Sequence, residues 1–207
     1  MTATAIAAKR QHRAVVTRDK ILAKAAHLFD QHGYSATSVN DICTVGITKG
    51  AVYYHFASKD EIARALIAVW VDEATAIHAE TASGDHLANL LTLLERFADT
   101  AARHTKLRAG LKLTLDRQIT TSDVGYAAWT RLIRKRVRAA VDAGLLTDTP
   151  GHHSRNAISA VLVGHLFAPE PLDTLRARVT DTTRVLVRGF EPDAPLDPSP
   201  PTKESST

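Results

Sequence analysis

Hydrophobic positions recur at helical spacing along nearly the whole chain, and no stretch alternates apolar and polar residues as a half-buried strand would. Ile21, Leu22, Ala25, Leu28 and Phe29 share one face of a helix that begins near Thr17 and stops at Gly33. Thr37 or Ser38 caps a short second helix that turns Val39, Ile42 and Val45 inward, and Gly46 makes the turn into a third helix starting at Thr48. Ser58 with Glu61 reads as a capping box for a long fourth helix reaching about His78, with Ile62, Leu66, Val69, Trp70, Glu73 and Ile77 along a stripe. After a break at Ser83, Gly84 and Asp85, apolar helices are expected over residues 87–101, 107–118, 126–140, 158–166 and 172–190.

The pattern therefore predicts an all-α protein: an N-terminal three-helix domain with a helix-turn-helix, joined by a long helix to a C-terminal helical domain. The expected segments are a basic arm without apolar periodicity (residues 1–13), the helix-turn-helix domain (14–60), the larger helical domain (61–190) and a proline-rich tail (191–207). Arm and tail are both read as disordered. Lys9, Arg10 and Arg13 allow the arm either to touch a polyanion or to stay solvated.

Composition narrows the function classes. A chain of 207 residues buries roughly 70% of its unfolded surface, so a core is assured. The net charge of +4 suits a polyanionic partner. Cys43 is the single cysteine, which excludes an internal disulfide and suits a reducing compartment. No apolar run approaches the ~20 residues that span a bilayer, nor does the start look like an export signal, so a cytoplasmic protein with no membrane partner is expected. Ten histidines invite a search for metal or catalysis, yet there is no H-E-x-x-H, no paired cysteines, no G-x-S-x-G and no glycine-rich phosphate loop. His152 and His153 are adjacent and would point about 100° apart on a helix. No metal, no cofactor and no catalytic set is expected.

The densest chemistry lies between Gly46 and Glu61. Thr48 caps a helix whose free N–H groups favour an anion, and Lys49 adds a full positive charge. Gly50 lets the backbone approach a surface closely, at about 1 kcal/mol of helix propensity. Val52 and Phe56 turn inward, while Tyr53, Tyr54 and His55 can reach phosphate oxygens and base edges. A buried aromatic knot is the plain alternative, but it leaves Thr48, Lys49 and Gly50 together unexplained.

This run resembles the recognition helix of the TetR family of transcriptional repressors, whose pattern is G-(hydrophobic)-(Ser/Thr)-K-G-x-(hydrophobic)-Y-(aromatic)-H-F followed by S-K-(acidic). Three residues separate Ile42 from Gly46, where the family usually has four. The resemblance implies a homodimer on double-stranded operator DNA, released by a small-molecule effector. It implies DNA contacts from Thr37, Ser38, Thr48, Lys49, Gly50, Tyr53, Tyr54, His55 and Lys59. Phosphates fall to Thr48, Tyr53, His55 and Lys59, and base edges to Lys49, Gly50 and Tyr54.

The second half is apolar on several faces with a few polar groups among them, as a ligand receptor would be. Leu90, Leu94, Leu111, Thr114, Gln118, Tyr126, Trp129 and Ile133 are the candidate pocket residues, Trp129 offering a flat wall and one N–H donor. Trp129 as plain core is the competing reading. Ala109-Gly110-x-x-Leu113, Tyr126-x-x-Trp129-Thr130-x-Leu132 and Ala143-Gly144-x-Leu146 are similar to the γ-butyrolactone-type autoregulator receptors within TetR, where a tryptophan at this place lines the signal pocket. A receptor for bulky cationic drugs would ask for acids, and Asp116 is the only obvious one nearby. The other face of the same helix carries Arg131, Arg134, Lys135, Arg136 and Arg138, read as a solvated or salt-bridged face in preference to a second nucleic-acid surface.

Overall fold

A computed structural model describes residues 3–81, 84–147 and 153–192, and among these every regular element is helical. The first three helices are α1 (Ala3–His32), α2 (Val39–Ile42) and α3 (Lys49–His55), and α4 (Lys59–Glu80) leads out of them. The remainder comprises α5 (His86–Arg103), α6 (Thr105–Leu113), α7 (Ser122–Asp142), α8 (His153–Phe167) and, after a single 3-10 turn, α9 (Leu175–Gly189).

Two hydrophobic cores share the interior. The first gathers Ile21, Leu22, Ala25 and Phe29 of α1 with Ile42, Ile47, Val52 and Phe56, and continues past residue 60 into Ile62, Leu66, Ala109 and Leu113. The second holds Trp70, Ala74 and Ile77 of α4 with Leu90, Leu94, Phe97, Leu111, Trp129, Ile133, Ile158, Leu162 and Val179. Each fully buried Leu, Ile or Phe contributes about 1.5–3 kcal/mol of transfer free energy. Helices α4 and α6 put residues into both cores, which makes their contact the seam of the molecule.

That seam closes because residue 110 has no side chain. A Cβ built there would press into the carbonyl oxygen of Leu66 and lie 2.8 Å from Trp70 Cβ. Beside it, Arg108 reaches from α6 to α1 and forks onto the Asp30 carboxylate at 3.0 and 2.8 Å, while Lys112 Nζ joins the same carboxylate at 2.8 Å. Burial alone would raise the Asp30 pKa, but hydrogen bonds from Arg108 and Lys112, with their charges, outweigh it and hold the carboxyl below its ordinary range. A depressed carboxylate stabilises the fold above its unfolded pKa, and that contribution is lost as pH falls through the lower folded value.

Two expectations fail here. The basic arm is not coil from residue 3 onward: α1 begins at Ala3, because an alanine-rich run without proline or glycine simply propagates the helix toward the N-terminus. Val45 does not turn inward; it is fully exposed at the tip of a turn in which Ile47 N–H donates to Thr44 O at 2.9 Å and Gly46 takes φ +92°. That positive φ at the third residue marks a type II turn. The chain absorbs the missing residue by shortening α2 to one turn. The tail expected to be disordered lies outside the described residues from 193 on.

Gly110→Ala should lower stability by about 1–3 kcal/mol through overpacking, read as a drop of a few degrees in Tm. An unchanged melting curve would show that α4 and α6 can part without cost.

Candidate nucleic-acid interface

The third helix stands on its own cap. Thr48 Oγ1 accepts from Ala51 N–H at 3.1 Å, which fixes the entry to α3, and Val52 and Phe56 anchor it with 1% and 2% exposure. Its outer face is free. Tyr53 is 48% and Tyr54 74% exposed, Lys49 and Gly50 are exposed, and a Cβ at Gly50 would meet nothing closer than Thr48 Oγ1 at 4.0 Å. No hydrogen bond or ion pair engages the Lys49 ammonium or the two tyrosine hydroxyls among the described residues. His55 is half-buried, edge-on to Tyr54 with ring centroids 5.0 Å apart. Aromatic hydroxyls and a cation held outward on a rigid, capped turn of helix are suited to phosphates and base edges in a groove.

Three expected contacts are placed differently. Thr37 is buried and donates its hydroxyl to Gly33 O at 2.9 Å. Ser38 is exposed but caps α2 in a reciprocal box, its N–H donating to the Asp41 carboxylate at 2.7 Å. Lys59, expected on phosphate, donates to the carbonyls of Tyr34 and Thr37 at 2.8 Å each and lies 4.1 Å from the Tyr34 ring centroid. A lysine so engaged ties the α1–α2 connection to the first turn of α4.

Of the candidate pocket residues, the fold brings together Leu90, Leu94, Leu111, Trp129 and Ile133, each fully buried in the second core. Thr114 is buried nearby with its hydroxyl donated to Leu111 O at 2.7 Å. Tyr126 and Gln118 do not join them. Tyr126 is 38% exposed, and Gln118 lies past the end of α6 on a surface cleft of about 630 Å³ with Tyr34, Lys112 and Phe167. Helix α6 stops at Leu113, so the register that would have carried Gln118 inward is lost.

The indole of Trp129 is walled by rings, Phe97 at 4.6 Å and Trp70 at 5.7 Å between centroids. Its N–H is already spent on Ser159 O at 3.0 Å. The free donor is instead Trp70 Nε1, buried with no acceptor. From the sequence Trp70 is only a stripe residue, and nothing local distinguishes a satisfied indole from an orphaned one. Arg18 also goes unsignalled there, although its guanidinium stacks 4.8 Å over the Phe56 ring at the end of α3.

Residues 21–66 match the family model for bacterial regulatory proteins of the tetR family. The A-factor receptor protein of Streptomyces griseus is 35% identical over 108 residues, covering 52% of this chain and 38% of the receptor, so the matched stretch spans less than two fifths of that relative's length. Among solved structures, CprB from Streptomyces coelicolor in complex with its biological operator sequence superposes with a TM-score of 0.74 at 27% identity, covering 87% of this chain and 91% of that one. A gamma-butyrolactone receptor described as ArpA-like gives 0.69 at 26% identity over 87% and 91% of the two chains. These relatives are named as receptors and regulators, not enzymes.

Lys59→Met should leave a folded protein whose α1–α2 connection is loosened. Faster amide exchange around residues 34–37 is the expected readout, and unchanged exchange would remove the positioning role.

Proposed function

Taking as premise that residues 21–66 form a TetR-family N-terminal domain, we propose that this protein is a cytoplasmic homodimeric repressor that reads operator DNA through α3 and lets go on binding a small apolar signal. The observation that carries the reading is the outward face of α3, where Lys49, Gly50, Tyr53 and Tyr54 are exposed and, among the described residues, no hydrogen bond or ion pair takes up the ammonium or the two hydroxyls. Thr48 and His55 flank that face, and Lys49, Gly50 and Tyr54 are the residues placed to approach bases.

A two-fold dimer would set two copies of α3 on a pseudo-palindrome with half-sites about 34–36 Å apart, or a longer multiple. Helices α8 and α9 are the dimer surface in this reading. Ala160, Gly164 and Phe167 follow one another on the outer face of α8, Phe167 is 58% exposed, and Val185 of α9 is 70% exposed. No described helix is long and apolar enough to cross a membrane, which agrees with a DNA-bound life in the cytoplasm.

The signal site is the aromatic nest of Trp70, Phe97 and Trp129, with Leu90, Leu94, Leu111 and Ile133 as its aliphatic walls and Thr114 joined to it through the Leu111 carbonyl. A buried donor without an acceptor costs about 1–3 kcal/mol. A lactone carbonyl presented to Trp70 Nε1 would remove that cost, and the similarity to a gamma-butyrolactone receptor fits such a ligand. The nest is closed by its own rings here, so the signal selects a state in which they have moved apart, and α4, which carries Trp70, moves with them.

Lys49→Ala should weaken binding to the DNA upstream of the protein's own coding sequence and lower the salt slope by about 0.9 per protomer, as the loss of one cation from the groove would; unaltered affinity and slope would remove Lys49 from the interface. Trp70→Phe keeps the ring and deletes the donor. It should leave operator binding intact while raising the γ-butyrolactone dose for half-release roughly 3–10-fold, the worth of one hydrogen bond. Release at the wild-type dose would exclude Trp70 as the carbonyl's partner.

A further inference from the structure

The N-terminal half of α1 takes no part in either core. Among the residues whose burial is described the first buried one is Ile21, and the side chains of Arg18 and Asp19 already reach other helices, so the stretch from Ala3 to Thr17, about 21 Å long, precedes the packed body. Residues 7–13 are exposed, and Val15 and Val16 remain 62% and 38% exposed. No acidic residue occurs in the helix before Asp19, while Lys9, Arg10, Arg13 and Arg18 do.

The cations are arranged. At 100° per residue, Lys9, Arg13, Lys20 and Lys24 fall within about 60° of one another, with Arg10 at their edge. This stripe lies away from the buried face of Leu22, Ala25 and Phe29, and Asp19, on a different side, is paired with Lys106. No hydrogen bond or ion pair engages the side chains of Lys9, Arg10 or Arg13 among the described residues. Five cations on one face of an unpacked helix repel each other unless an anion lies along them.

The helix also leaves the body at a telling place. Arg18 stacks over Phe56, the residue that ends α3, so the projecting half of α1 starts beside the recognition surface. The unpacked half of α1 thus begins next to the helix that presents Lys49, Tyr53 and Tyr54.

The geometry points to a second DNA contact: the N-terminal half of α1 lies as a rigid helix along the backbone phosphates adjacent to the segment read by α3, held by Lys9, Arg10 and Arg13. The inference rests on the DNA-reading role of α3 and extends it. Point charges spaced along a smooth helix carry no pattern of base-edge donors, so this arm adds affinity and footprint length with little sequence preference.

The test compares wild type with a Lys9→Gln, Arg10→Gln, Arg13→Gln triple variant on the upstream DNA, over a range of salt concentrations. Those residues bury nothing, so Tm and helical circular dichroism should match wild type. The slope of log affinity against log salt should fall by about 0.9 for each phosphate that the arm no longer neutralises, up to roughly 5 for a dimer, and affinity near physiological salt should fall at least about tenfold. Phosphate ethylation should interfere with wild-type binding at backbone positions where it no longer matters for the variant. Equal slope and equal interference in the two proteins would overturn the arm while leaving the α3 reading intact. A wild type that ignores the upstream DNA altogether would overturn both.

Discussion

The close approach of α6 to α4 at Gly110 is the constraint on which the rest depends. One missing side chain lets the backbone of α6 settle against the Leu66 carbonyl, and the two hydrophobic cores meet across that contact. Because α4 supplies Leu66 to one core and Trp70 to the other, one helical turn apart, events in the aromatic nest cannot stay local. Dense packing transmits displacement. The Arg108 and Lys112 clamp on Asp30 then fastens α6 to α1, so the DNA-side helices are held from two directions.

How much of this is legible in the sequence depends on how far each feature reaches. Cap, cation, glycine and tyrosines of α3 lie within eight consecutive positions, and helical periodicity alone turns Val52 and Phe56 in and Tyr53 and Tyr54 out. The same holds for the Ser58 cap and for Trp129, whose burial follows from its stripe. What failed was tertiary or hinged on an end. Lys59 is taken up by carbonyls more than twenty residues away, Gln118 falls beyond the end of α6, Tyr126 sits one position off the buried stripe of Ser122, Gly125 and Trp129, and Val45 depends on a turn that replaces a helical register. The arm is helical despite its low periodicity, because a helix already nucleated by a packed segment extends through alanines at little cost.

The aromatic nest shows why a binding residue is hard to name from a motif. Trp129 carries the family-like pattern, yet its N–H is satisfied, which leaves its ring as a wall of the proposed site; the unsatisfied donor sits on the connecting helix beside it. A ligand that rewards Trp70 acts on α4 itself, with no relay in between. Coupling of the usual scale, about 1–3 kcal/mol, is within what one buried hydrogen bond and a modest repacking supply.

The Lys59 anchor has its own consequence. An ammonium shared by the carbonyls of Tyr34 and Thr37 makes the start of α4 and the helix-turn-helix a single block. A signal that tilts α4 would therefore swing each reading head whole, leaving its grip on one half-site undamaged. In the proposed dimer the signal would alter the distance between two intact hands, and the liganded protein should still hold a lone half-site about as well as the free protein does.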